Sequence, residues 1–302
     1  MTDAITGERP TVAVLGPGAV GAVFGVPLAR RGHRVVCVAR PETAALIRRD
    51  GLTLVRHSGA VHARPEAVDS FDEPVDVLLV TVKAFALDEA LQRIVSQPET
   101  VVPLLNGLEH VERLRALLGG RVVAASVGRL EAYRDRPTVV AQTTGRPVVT
   151  LAPDDDGGAA TLFAAAGAHV RAGASERAVL WEKVARLAPL AAATAMTQRP
   201  VGDLRNDPEW RARLEHAVAE ACGVAAAEHV DLDPAEQWKI IDAMPADLTT
   251  STARDVAAGR PSELDAITGA VVRAARVLDV PTPTLDRLLE AVEEGRCRAS
   301  SH

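Results

Sequence analysis

Aromatic side chains are scarce in this 302-residue chain: four Phe, three Trp and one Tyr make up 3% of it. With so few rings, the cores must be filled by Ala, Val and Leu, which the 47% apolar content supplies. Cysteine is nearly as rare. Cys37, Cys222 and Cys297 lie far apart and form no CxxC pair. That argues against a disulfide framework or a zinc cluster and points to a reducing, cytoplasmic setting. The eight histidines show neither HxxxH nor HxH spacing, so no metal site is expected. No apolar run approaches the ~20 residues of a membrane span. The first eleven residues are polar and acidic, with no secretory core. Cations are outnumbered, 34 Lys and Arg against 40 Asp and Glu, and the net charge of −6 argues against nucleic acid or an anionic membrane surface as partner. No fixed-period repeat is present, and the length suggests two domains.

What is present is concentrated first in Val12 to Arg40. Val12–Leu15 is a short β-branched run that ends at Gly16, and Gly16, Gly18 and Gly21 follow with G-x-G-x-x-G spacing. The first glycine permits a sharp turn, the second lets a pyrophosphate approach the backbone, and the third lets a helix pack on the strand. The turn Gly16, Pro17, Gly18, Ala19, Val20, Gly21 therefore offers free N–H groups at a helix start near Ala19, a place suited to phosphate. Gly32-His33 closes that helix and Arg34–Ala39 reads as the next strand. The strand-helix-strand context raises the motif above a bare glycine turn. Where an NAD-selective chain carries an acid at the end of the second strand, this one carries Arg40, with no acid before Glu42. An arginine fork suits a 2′-phosphate, so NADP is the expected cofactor. A solvated loop cation is the alternative for Arg40.

Further along, Glu42–Arg49 reads as a helix, Leu52–Val55 and Val61–Pro65 as a hairpin, and Val75–Val82 as a buried strand with Lys83 at its carboxyl end. Ligands of open α/β sheets bind at that edge, which suits Lys83 to a cofactor; a lysine starting a helix in water would look the same. A helix over Leu87–Val95, a strand over Val101–Leu105 and the pair Asn106-Gly107 follow. The pair reads as a turn, or as an amide at the ligand edge. A helix at Val111–Leu118 and strands at Arg121–Ser126, within Thr138–Leu151 and at His169–Arg171 complete a doubly wound, mostly parallel sheet. After Gly173 strand runs stop and Ala/Leu-rich helices follow, so the expected domains are 1–172, Rossmann-like, and 173–302, all-α. The expected helices are Ser175 to Thr197, Pro208–His229, Pro234–Ala243, Leu248–Ala258, Ser262–Leu278 and Pro283–Glu293, with a mobile tail from Gly295.

The first of these helices places Lys183, Leu187 and Ala191 on one face at i, i+4 and i+8. A lysine on an apolar stripe either reaches water or has a purpose. Ser251 lies in a later helix, and Glu263 opens another, with Ser262 as its expected N-cap. A carboxylate at a helix start is also electrostatically comfortable there without any function.

Taken together, the chain resembles the ketopantoate reductases, NADPH-dependent enzymes that reduce 2-dehydropantoate to pantoate. The resemblance rests on GPGAVG at Gly16–Gly21, Arg40, TVKAF around Lys83, LLNG at Asn106, WEKV with Lys183, Ser251 followed by Glu263, then Gly269 and VPTPTLDRLL near Pro281. It implies Lys183 as general acid, Glu263 as the carboxylate positioning that lysine and the cofactor, and Ser251 as a contact to the substrate carboxylate. It implies Asn106 and Lys83 as contacts to cofactor and substrate, Ala132 as a backbone contact to NADP, and a homodimer as a compatible assembly. A lysine of ordinary pKa ~10.4 is a reluctant acid at neutral pH, and desolvation by apolar neighbours would lower it.

Two positions depart from the family pattern. Leu187 and Ala191 stand where substrate-binding asparagines are usual, and Pro189 falls inside the helix, where a kink is expected. Each lost hydrogen bond weakens substrate binding by about 0.5–1.5 kcal/mol. Carbonyl reduction is therefore expected on a 2-keto acid, either 2-dehydropantoate or a more apolar relative. A 3-hydroxyacid dehydrogenase-like enzyme and a non-catalytic NADP-binding sensor remain as alternatives.

Overall fold

The computed structural model describes residues 9–153 and 155–300, with side chains through Gly295. The chain divides into two compact units. One holds the described residues up to Leu105 together with His110–Glu176; the other holds Asn106–Glu109 and the described residues from Arg177 onward.

In the first unit the strands are β1 (Val12–Leu15), β2 (Val35–Val38), β3 (Leu52–Arg56), β4 (Gly59–Ala63), β5 (Glu66–Val68), β6 (Val77–Val80), β7 (Thr100–Pro103), β8 (Arg121–Val122), β9 (Ala125–Gly128), β10 (Ala132–Arg136), β11 (Val139–Gln142), β12 (Val148–Leu151) and β13 (His169–Ala172). The helices between them are α1 (Ala19–Arg30), α2 (Pro41–Asp50), α3 (Leu87–Leu91), α4 (His110–Leu118) and α5 (Gly158–Ala165). A parallel six-stranded sheet runs β5-β2-β1-β6-β7-β8. Its central strands are buried along their whole length, as Val-rich parallel strands covered on both faces should be. The Rossmann-like fold class is the one expected. Not every expected strand joins that sheet, however. Residues 121–126 split, with Arg121–Val122 in the main sheet and Ala125–Gly128 in a three-stranded sheet ordered β13-β12-β9. A second sheet runs β10-β11-β3-β4. Alternating apolar runs specify strands, not partners, and the antiparallel pairings β3–β4, β10–β11 and β9–β12 lead these segments away.

Helix α1 lies between the main sheet and the four-stranded sheet, which explains why AVGAVFGVPLAR is apolar all round. Pro27 inside it has no N–H to give the Val23 carbonyl. That carbonyl accepts instead from Arg56 Nη2 at 3.4 Å, while Arg56 Nε donates to Gln142 Oε1 at 2.9 Å. Phe24 of α1 meets Phe163 of α5 edge to face, ring centroids 5.1 Å apart.

The second unit is helical: α6 (Glu176–Thr197), α7 (Val201–Asn206), α8 (Pro208–Ala227), α9 (Pro234–Asp242), α10 (Ser251–Ala257), α11 (Ala270–Val277) and α12 (Pro283–Ser300), with a π-helical turn at Asp265–Gly269. Its core is alanine, valine and leucine packed around Trp181. Helix α6 continues through Pro189, and the neighbouring Ala188 carbonyl accepts from Thr268 Oγ1 at 2.9 Å. Helix α12 runs on through Ser300, past the expected end at Glu293, because one glycine at ~1 kcal/mol does not stop a run of Glu, Arg and Ala. The remainder of that expected tail, residues 301 and 302, lies outside the described residues, as do residues 1–8.

Candidate active site

The glycine turn is built as its spacing requires. Gly16 has φ +80°, and a Cβ there would fall 2.4 Å from Val82 Cγ1. A Cβ on Gly21 would lie 2.7 Å from Thr81 Oγ1 and 2.9 Å from Val14 Cγ1, so the third glycine sets how closely α1 sits on β1. Thr81 Oγ1 ties the turn down by donating to the Gly16 carbonyl at 2.6 Å. Gly18 is different: the nearest atoms to a Cβ there are 3.6 and 3.8 Å away, ordinary contact distances, so a side-chain carbon would fit without moving the backbone. Gly18 is also the N-cap of α1, makes no side-chain cap, and no acid stands in the first turn. The N–H groups and positive end of α1 thus meet neither a side-chain cap nor an acid of their own first turn, which fits a dinucleotide phosphate.

Ala19, Val20 and Ala132 pack on the same core, and β10 lies against α1, its Arg134 near Gly18. Arg40 is exposed at the N-cap of α2, with Nη2 3.3 Å from Glu89 Oε2. The acid missing from the strand end in sequence is thus supplied by α3, in an exposed pair that contributes little and is easily exchanged. Lys83 is half-buried at the N-cap of a 3₁₀ turn, Ala84–Ala86.

The second unit assembles a separate constellation. Lys183 Nζ donates to Asn106 Oδ1 at 2.7 Å, and Asn106 Nδ2 donates to Glu263 Oε2 at 3.3 Å. One amide thus joins the lysine to a carboxylate that is itself buried, at 4% exposure. Asn106 is held there by its neighbour. Gly107 has φ +104°, and a Cβ on it would fall 2.2 Å from the Ala266 carbonyl oxygen of the π-helical turn. Burial pushes the Lys183 ammonium down from 10.5 to about 8; Glu263 acts in the opposite direction, and Arg186 adds to the lowering. Arg186 stands one helical turn after Lys183 and donates to the Glu182 carbonyl and to Gln237 Oε1, the latter at 3.0 Å.

Of the other expected residues, Ser251 is the half-buried first residue of α10, and its hydroxyl meets no partner among the described residues. Its neighbour Thr250 does the capping, accepting from the Ala253 N–H at 3.1 Å and meeting Thr194 Oγ1 at 2.8 Å. Leu187 keeps part of its surface, whereas Ala191 is wholly buried in the helical core and presents none. Ser262 is not the N-cap it was expected to be. Its Oγ is buried and unpartnered among the described residues, because the segment beyond it winds as a π-helical turn. Arg186 was missed by sequence reasoning, and its i+3 spacing from Lys183 was the available signal.

A glycine turn suited to phosphate on a parallel sheet, and a desolvated lysine linked through an amide to a carboxylate in a helical unit, are features of a dinucleotide-dependent oxidoreductase acting on a CH–OH/carbonyl pair. The chain matches the family Ketopantoate reductase PanE/ApbA over residues 12–154 and Ketopantoate reductase PanE/ApbA C terminal over residues 176–295. It is 32% identical over 298 residues to the 2-dehydropantoate 2-reductase of Mycobacterium tuberculosis (strain ATCC 25618 / H37Rv), covering 94% of this chain and 98% of that one. The crystal structure of a PanE/ApbA family ketopantoate reductase from Ralstonia eutropha JMP134 is 31% identical, covers 95% of this chain and 99% of that one, and superposes with a TM-score of 0.85. A D-mandelate dehydrogenase solved with NADH and anilino(oxo)acetate shares the fold, at 22% identity over 95% of this chain and 99% of that one, with a TM-score of 0.86. The chain belongs to the ketopantoate reductase family, and it is an oxidoreductase. Among the described residues no helix is long and apolar enough to cross a membrane.

Proposed function

We propose that this protein reduces a 2-keto acid with NADPH, and that Lys183 is the general acid. The observation that carries the reading is the Lys183–Asn106–Glu263 array with its lysine pKa near 8. NADPH, when bound, supplies the hydride. The chain's part is to hold the acceptor and give it a proton. Lys183 Nζ–H donates to the carbonyl oxygen as it becomes a hydroxyl. An ammonium with pKa about 8 is both largely protonated near neutral pH and a stronger acid than an ordinary lysine. Asn106 fixes the direction of Nζ, and Glu263 stabilises the charged form. The free hydroxyl of Ser251 suits a substrate carboxylate. Arg40 and Lys83 suit the 2′-phosphate, which favours NADP over NAD. Cytoplasmic residence and a homodimer complete the reading, both by likeness to the family.

The substrate is 2-dehydropantoate or a more apolar analogue. Leu187, one turn beyond Lys183, offers methyl groups where a hydroxyl-bearing substrate needs a hydrogen bond. That supports substrates such as trimethylpyruvate, in which a methyl replaces the hydroxymethyl group. Retention of the lysine and its carboxylate weighs against a non-catalytic sensor.

The test is NADPH oxidation across 2-dehydropantoate, trimethylpyruvate and an aromatic 2-keto acid, with wild type and Lys183→Ala. Turnover by wild type and a loss of roughly 10²–10⁴-fold in the variant are expected for a removed general acid. Full activity in Lys183→Ala would refute the assignment of the acid, and no turnover with any 2-keto acid would leave the sensor reading standing.

A further inference from the structure

We propose that Arg134 is the side chain that clamps the cofactor's pyrophosphate, a role that neither the glycine motif nor the strand-end cations supply. The proposal rests on the reading that this unit binds a nicotinamide dinucleotide. Arg134 Nη2 is the atom nearest to where a Cβ on Gly18 would project, 3.6 Å from that point. Gly18 is the glycine at which phosphate approaches the backbone in this motif. The guanidinium therefore stands against the Gly18 face of the turn, at the start of α1.

Electrostatics make this placement informative. The N-terminus of α1 carries partial positive charge and has no acid in its first turn. Among the described residues no carboxylate or other acceptor meets the Arg134 side chain, which is exposed. The adjacent Asp135 carboxylate is paired with Arg136. Two positive features lie side by side, an arrangement that a phosphate diester would complete. A guanidinium fork matches phosphate oxygens in pairs, as backbone N–H groups alone do not.

The strand that delivers Arg134 is shaped for the purpose. Its sequence, Ala-Tyr-Arg-Asp-Arg, has no apolar alternation, and it is a strand only through its pairing with β11. The register shifts between Arg134 and Arg136, an irregularity of the kind that re-aims a side chain. Arg40 and Lys83 lie instead at the ends of β2 and β6 and answer to the adenosine ribose, so Arg134 adds a distinct contact.

Direct binding separates these assignments. NADPH, ADP-ribose, which keeps the pyrophosphate without a 2′-phosphate, and 2′-AMP, which keeps the 2′-phosphate without a pyrophosphate, are titrated calorimetrically into wild type, Arg134→Ala and Arg134→Lys. Arg134→Ala is expected to weaken NADPH and ADP-ribose roughly tenfold or more and to leave 2′-AMP within twofold. Arg134→Lys is expected to recover part of the loss. If wild type binds NADPH and Arg134→Ala binds ADP-ribose as wild type does, the clamp is refuted and the cofactor reading survives. If 2′-AMP weakens while ADP-ribose does not, Arg134 serves the 2′-phosphate and the proposal fails. If wild type binds neither NADPH nor NADH, the proposed function fails with it.

Discussion

Replacing Glu263 with Gln keeps the shape of the Asn106 contact, since the amide oxygen still accepts from Asn106 Nδ2, but removes the charge that holds Lys183 protonated. The sign follows from the reaction. With Lys183 as the proposed general acid, reduction needs the ammonium, so activity is expected below the lysine pKa of about 8 and is lost as pH rises through it. Oxidation of the hydroxy acid needs the free amine and shows the opposite limb. Removing an opposite charge at close range lowers a lysine pKa by roughly one to two units. The protonated fraction at pH 7.5 then falls from roughly three quarters to between about 3% and 25%, a loss of roughly 3- to 25-fold from protonation alone. Near pH 5.5 the same variant recovers most of that loss. Removing the Arg186 cation, in Arg186→Gln, works in reverse and moves the limb to higher pH. The assay is the pH profile of kcat/KM for NADPH-dependent reduction, followed at 340 nm. Opposite displacements of the alkaline limb in the two variants support the scheme. A limb that stays within about 0.3 pH units of wild type in Glu263→Gln refutes the electrostatic coupling, whatever happens to the plateau rate.

Two further changes test neighbouring points. Leu187→Asn returns an amide to the turn after Lys183 and should lower KM for 2-dehydropantoate roughly 3- to 10-fold relative to trimethylpyruvate, with kcat little changed. An unaltered preference between the two acids would show that position 187 does not face the substrate. Gly107→Ala forces a Cβ into the left-handed region and against the Ala266 carbonyl, 2.2 Å away. A destabilisation of about 2–4 kcal/mol, seen as a lowered Tm in thermal melting, is expected, and an unchanged Tm would contradict this packing.

The parts of the fold legible in sequence are those where local signals agree. The Val12–Leu15 run, the glycine spacing and the apolar helix after it each point to the same strand-turn-helix, and the observed bounds follow. The long helices were legible because Pro and Asp mark their starts, as Asp207 and Asp233 do by capping α8 and α9. Four elements were not legible. Helix α7, Val201–Asn206, is too short to show a face between the Pro200 and Asp207 that bound it. Strand β5, Glu-Ala-Val, is too short to show a period and exists by pairing with β2. Strand β10 reads as a charged loop until β11 is placed beside it. Helix α5 follows a run of Asp and Gly, and its starting N–H groups are met by Asp155, a residue that also fits a turn. In the candidate site, Lys183 stood out as a charge on an apolar stripe and Glu263 as a carboxylate at an expected helix start. Asn106 stood out as an amide at the ligand edge, but its joining of the two did not, because 77 residues separate Asn106 from Lys183 and 157 from Glu263. No spacing rule reports a bond of that reach.

The assignment of Asn106–Glu109 to the helical unit makes that unit discontinuous along the gene. A single cut after Glu176 would release a polypeptide that carries the candidate acid and its carboxylate but not the amide between them. The peptide backbone passes from one unit to the other three times, so excision, swapping or recombination of the helical part as one cassette must carry a four-residue loop from the middle of its neighbour. Engineering that treats residue 176 as the only seam would leave the buried ammonium without its hydrogen-bond acceptor.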